Sequence, residues 1–131
     1  MANESVLIFE TERPIPFTVA NATGIEKGAI LKMTDPRTAI INSADNDAVA
    51  GIAAREKIAS DGRTRLSVYR DGIFDITASG NITVGDAVAI DASVNHVRAA
   101  VNTSGANILG FALETATTGE VIQVELKPMK G

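Results

Sequence analysis

Gly62-Arg-Thr-Arg-Leu-Ser-Val-Tyr-Arg-Asp-Gly-Ile-Phe-Asp-Ile-Thr-Ala78 is the stretch whose reading decides the fold. Thr64, Leu66 and Val68 alternate with Arg63, Arg65 and Ser67. After Asp71-Gly72 the apolar positions resume with Ile73 or Phe74 and Ile76. A period of two places such residues on one face of a β-strand. Asp-Gly between two such runs is a strong signal for a two-residue hairpin, because Gly accepts the positive φ that a type I′ turn demands. The stretch therefore predicts two paired strands around Asp71-Gly72, with a second turn at Asp61-Gly62 just before them.

Outward from this stretch, the material on its two sides recurs. Gly24–Met33 matches Asn81–Ile90, Asp47–Glu56 matches Ala106–Thr115, and Asp61–Tyr69 matches Thr118–Leu126. Gly28 and Gly85 are 57 positions apart, Gly51 and Gly110 are 59 apart, and Gly62 and Gly119 are 57 apart. Three glycines with their apolar neighbours in step indicate an internal duplication, with pseudo-repeats at about 24–78 and 79–131 of one β-domain. Two copies are fewer than the ~3 a solenoid needs. The pattern predicts an all-β chain, a compact barrel or sandwich of short strands whose halves share one core. No segment shows helical spacing longer than one or two turns, and the helix-compatible stretches are Ala54–Ala59 and Asp91–Asn95.

Residues 1–23 form a separate segment, an N-terminal arm or an edge strand. Val6-Leu7-Ile8-Phe9 is a short apolar run, and Pro14-Ile15-Pro16 follows it. Two prolines two apart remove backbone donors, which suits an edge or an extended arm. Such an arm can complete its own domain or add a strand to a neighbouring molecule. Further on, Asp35-Pro36 predicts a turn and residues 43–47 a polar loop.

Composition narrows the function classes. A chain of 131 residues suits one compact domain or two small lobes. It is 45% hydrophobic but only 4% aromatic, without Trp, which favours narrow β-layers and counts against sugar stacking. The net charge of −4 and pI near 4.9 argue against nucleic acid as the main partner. With no Cys there are no disulfides, thiolate metal sites or thiol nucleophiles. No apolar run approaches the ~20 residues of a membrane helix. The start, Met-Ala-Asn-Glu-Ser, lacks the basic flank of a secretory signal and predicts synthesis in the cytoplasm.

Catalytic constellations are not legible. His96, the one histidine, sits in a strand-like stretch with no nucleophile elbow anywhere in the chain. Asp45-Asn46-Asp47 begins like a calcium loop but lacks its distal Glu. Gly24-Ile-Glu-Lys-Gly28 is too short for a phosphate loop. The residues predict no enzyme, no cofactor and no metal. Arg63, Arg65 and Arg70, with Tyr69 among them, make the one locally basic stripe, either a solvated strand face or a contact with an acidic partner, since Arg and Tyr recur at interface hot spots.

The order of features resembles the phage capsid decoration (cement) proteins, including the lambdoid head-stabilising proteins. The resemblance lies in the Pro-containing N-terminal segment, Gly24-Ile-Glu-Lys-Gly-Ala-Ile-Leu-Lys-Met33, Ala48-Val-Ala-Gly-Ile-Ala-Ala54 and Thr64-Arg-Leu-Ser-Val-Tyr-Arg-Asp-Gly-Ile-Phe74. It covers roughly Gly24–Thr77, and the Ile82-Thr-Val-Gly-Asp-Ala-Val88 of the second copy is similar to related short cement proteins. It implies a β-rich homotrimer that binds major capsid protein on the outer surface of an expanded icosahedral head and stabilises it. The arm residues Val6, Leu7, Ile8, Phe9, Pro14, Ile15 and Pro16 would contact the shell, with neither nucleic acid nor membrane as partner. Other roles consistent with the same features are another virion part, such as a tail-tube or head-completion protein, and a small ligand- or carbohydrate-binding β-module.

Overall fold

The computed structural model describes residues 4–9, 13–34, 37–41, 48–93, 95–100 and 108–127. The predicted Asp35-Pro36 turn, the polar loop with Asp45-Asn46-Asp47, and Glu10 to Glu12 lie outside the described residues. All regular structure in the described residues is β. The strands are β1 (Val6–Phe9), β2 (Ile15–Thr18), β3 (Ile30–Thr34), β4 (Thr38–Ile41), β5 (Val49–Ala53), β6 (Arg65–Tyr69), β7 (Gly72–Ala78), β8 (Ala87–Ile90), β9 (His96–Ala99), β10 (Gly110–Ala112) and β11 (Val121–Leu126).

These strands close into two five-stranded barrels. The first runs β2-β4-β3-β5-β6 and returns to β2. The second runs β7-β11-β10-β8-β9, and β9 closes it by pairing parallel to β7. Closure removes the exposed sheet edges that invite aggregation. Equivalent backbone bonds recur: Gly28 N donates to Ala53 O (2.9 Å) and Gly85 N to Ala112 O (2.8 Å). Ile25 and Lys57 exchange two bonds, as do Ile82 and Ala116.

The all-β expectation holds, and the structure corrects four details. First, β6 and β7 do not pair. Leu66 and Val68 point into the first barrel, Phe74 and Ile76 into the second. Asp71-Gly72 is a crossover between barrels rather than a type I′ turn: positive φ occurs at Gly72 (124°) but not at Asp71. Second, there are two core clusters instead of one shared core, because each half closes on itself. The chain passes from one barrel to the other at Arg70–Asp71, and β2, within the segment read as an arm or an edge strand, is a strand of the first barrel. Third, Ala54–Ala59 is no helical turn, since Lys57 sits in the bridge with Ile25; nor do the described residues of 91–95 form one. Fourth, β6 and β11 align 56 positions apart, not 57. Val19 N donates to Thr64 O where Ala78 N donates to Glu120 O, so the preceding loop is shorter in the second copy.

Pro16 fits a closed barrel for a specific reason. Its register partner is Ser67 on β6. The bond from Val19 N to Thr64 O sets the alternation, so Ile15 and Phe17 face β6 with their donors and Pro16 does not. On its other side β2 meets β4 only at Thr18. The missing N–H therefore leaves no ladder bond unmade.

The seam between the barrels is apolar and tied. Ile30, Val49 and Ile52 of the first barrel turn outward into the core cluster of the second, which explains why every position of β5 is buried. Full burial of each such side chain contributes about 1.5–3 kcal/mol. Tyr69 and Phe74 meet edge to face, with centroids 5.5 Å apart at 62°. Asn95, fully buried, accepts a 3.1 Å bond at Oδ1 from Ile30 N. The N-terminal strand crosses the seam: Ser5 N donates to Gly28 O in the first barrel, while β1 pairs antiparallel with β7 of the second.

Candidate functional site

One flank of the first barrel carries a cleft of about 580 Å³. Five short pieces of chain build it. Pro14 precedes β2, Lys27 leads into the turn at Gly28, Arg55 and Glu56 follow β5, Arg63 precedes β6, and Tyr69 ends β6. β6 places Tyr69 outward because Leu66 and Val68 occupy the inward positions. Three cations and one carboxylate thus line it in a chain of net charge −4, and one of the cations, Arg63, also lies 4.0 Å from Asp61 Oδ2. A second cleft, of about 480 Å³, adjoins it and shares Lys27 and Tyr69; its walls include Glu4, Val6, Leu7, Ile52 and Phe74.

The basic stripe seen in the sequence is divided by the fold. Arg63 and Tyr69 line the first cleft, and Arg65 is exposed on β6 opposite Thr18. Arg70 is half-buried and turned onto the backbone of β5. Its Nη1 donates to Ala50 O (2.8 Å) and Val49 O (3.4 Å), and the guanidinium lies 5.9 Å from the centroid of the Phe17 ring. Burial pulls its pKa down from the usual arginine value, but carbonyl and ring partners suit a cation.

The apolar N-terminal residues also divide. Val6 is 56% exposed, Leu7 packs against the second core cluster, and Ile8 is half-buried. Phe9 pairs with Ile73 in register. Pro14 is in the cleft wall, while Ile15 and Pro16 are exposed on β2. Among the described residues β1 has a strand neighbour on one side only.

Lys27, Arg55, Lys57 and Asn95 were not singled out by sequence reasoning. Lys57 had a signal: it is the repeat counterpart of Ala116, and a lysine aligned with a buried alanine requires an explanation. Among the described residues no group of three or more potential metal ligands gathers. His96 is half-buried on β9 beside Thr77. The two clefts place charged side chains beside apolar ones.

A family model described as phage cement protein matches residues 9–128. The chain belongs to the phage cement proteins. As a cement protein it is a structural component of a phage virion, associated with the capsid. No curated protein matches the cement protein over its sequence. Among solved structures, the N base of head fiber gp8.5 of bacteriophage phi29 is similar, with a TM-score of 0.55 and 17% identity, over 89% of this chain and 97% of that one. At that identity the likeness is one of fold, and it covers both barrels of the cement protein.

Proposed function

We propose that this protein binds the outer surface of an expanded icosahedral phage head and stabilises it by bridging major capsid protein subunits, with no catalytic step. The observation that carries the reading is the cement-family match across residues 9–128. The doubled barrel supports the bridging part: one chain offers two similar bodies, tied by Asn95 and the N-terminal strand. A ligand that binds only the expanded shell stabilises it by mass action, and contacts repeated over a lattice act multivalently.

Within this reading β1 is the contact element. Its outer edge and Val6 are available for strand addition by a shell subunit, and Pro14 to Pro16 keep the following chain extended. Three copies act together at three-fold positions, where self-association covers exposed apolar residues such as Phe111, Leu113 and Val121.

The test is co-sedimentation of the purified protein with expanded and unexpanded heads, followed by heating of the decorated heads. Binding restricted to expanded heads, with a higher temperature of DNA release, is expected. Equal binding to both forms, or no change in release temperature, contradicts the proposal.

A further inference from the structure

We propose that the two adjoining clefts form one receptor for an extended acidic–apolar peptide segment of a partner protein. Carboxylates of the peptide sit against Lys27, Arg55 and Arg63, and a following apolar side chain enters the groove beside Val6 and Leu7, whose lining also includes Glu4. Tyr69, shared by both clefts, lies where the two halves of the peptide meet. This inference rests on the shell-binding reading for the source of the segment, a subunit of the capsid.

The internal duplication supplies the control. The barrel fold repeats this flank on its second copy, where the counterparts of Lys27, Arg55 and Tyr69 are Val84, Glu114 and Glu125, from the equivalences fixed by the backbone bonds. The scaffold folds with either set, so packing does not require cations at the first. Basic residues gathered on one copy of an otherwise acidic chain mark a charge-selective surface. Glu56 inside the cleft counts against a densely phosphorylated ligand and suits a peptide with spaced carboxylates. The apolar groove beside the cations has no use for a purely ionic ligand.

The test is a titration of the full-length 15N-labelled protein with acetyl-Glu-Glu-Glu-Leu-Val-Val-amide and with its Lys-Lys-Lys counterpart, followed by NMR. Amide shifts confined to Lys27, Gly28, Arg55, Arg63 and Tyr69, with the acidic peptide alone, are expected. Affinity should fall about tenfold in Arg55→Glu/Arg63→Glu and fall again between about 50 mM and about 300 mM salt. Both arginines are exposed, so the variant should keep its fold, and Arg55→Gln provides a milder check.

Absence of shifts at millimolar peptide, or equal shifts with the lysine peptide, overturns the proposal. So does tighter binding of a single-stranded oligonucleotide. Concentration-dependent self-association that is lost in Arg55→Glu/Arg63→Glu and restored by adding Glu114→Arg/Glu125→Arg would assign the cleft to a second copy of this chain and likewise overturn it. The titration uses the protein alone, so its failure leaves head binding standing. A failure of head binding leaves the titration result intact.

Discussion

Lys57 Nζ lies 3.3 Å from Asp61 Oδ1 at the end of the first barrel, and its side chain is fully buried. Two backbone carbonyls complete its shell, Asn21 O at 2.7 Å and Ile58 O at 3.2 Å. In the second barrel the same position is Ala116. The first barrel thus closes its longer loop with an ammonium where the second uses a methyl.

Lys57→Met should destabilise the protein by about 1–3 kcal/mol, because it leaves the Asn21 and Ile58 carbonyls without the ammonium that satisfies them. Urea unfolding of Lys57→Met, Asp61→Asn and the double variant separates the ion pair from the carbonyl bonds. If the ion pair matters, the double variant loses less than the sum of the singles. Strict additivity would make Asp61 a bystander to the lysine.

The acid side of the stability curve follows from two carboxylates in equivalent turns. Asp61 is held below the ordinary carboxylate value first by the Arg63 N–H and then by Lys57, and it also accepts from Ile58 N. Glu120 is lowered by the N–H and hydroxyl of Thr117. A depressed folded-state pKa means stabilisation that is present above the unfolded value and lost as pH falls through the folded one. Asp61→Asn and Glu120→Gln should each flatten the fall in melting temperature below the normal carboxylate range. Melting curves parallel to the parent across that range would show that these groups do not set the acid limb.

Gly51 and Gly110 sit tight against the backbone of the neighbouring strand. A Cβ at Gly51 would collide with Tyr69 O, and one at Gly110 with Glu125 O. Gly51 also has φ +144°, which other residues adopt at a cost. Alanine should therefore cost about 3 kcal/mol or more at Gly51, from overpacking and backbone strain together. Gly110→Ala, with overpacking alone, should cost less. Gly62→Ala, whose Cβ meets nothing within 4 Å, is the matched control for positive φ without collision.

Asn95 is the polar tie across the seam. Asn95→Ala leaves the buried Ile30 N–H without its Oδ1 partner and places alanine at φ +64°, for a loss of about 2–3 kcal/mol. Hydrogen exchange should show the Ile30 amide losing protection before amides inside either barrel. Uniform loss across both barrels would mean that the seam opens only with global unfolding.

Deletion of residues 1–9 should leave both barrels folded, since β7 keeps β11 and β9 as neighbours, and should abolish head binding. Deletion through Pro16 should instead unfold the first barrel, because it removes half of β2. Circular dichroism and co-sedimentation distinguish these outcomes. Full head binding by the shorter deletion would remove β1 as the contact element.

The sequence by itself determined the strand character of Gly62–Ala78, the duplication and the lack of long helices among the described residues, because period-two alternation and glycines in step are local signals. Only the tertiary structure decided that the strands around Asp71-Gly72 separate into different barrels. Leu66 and Phe74 are equally apolar, and nothing local says that they point into different cores. The cleft was illegible for the same reason: Lys27, Arg55, Arg63 and Tyr69 are scattered along the chain and meet only once the first barrel closes. Arg70 reads in sequence as one more member of a basic stripe. A step from β6 into the crossover turns its guanidinium onto the Val49 and Ala50 carbonyls, a position that depends on the bulged β5 and that no residue spacing reveals.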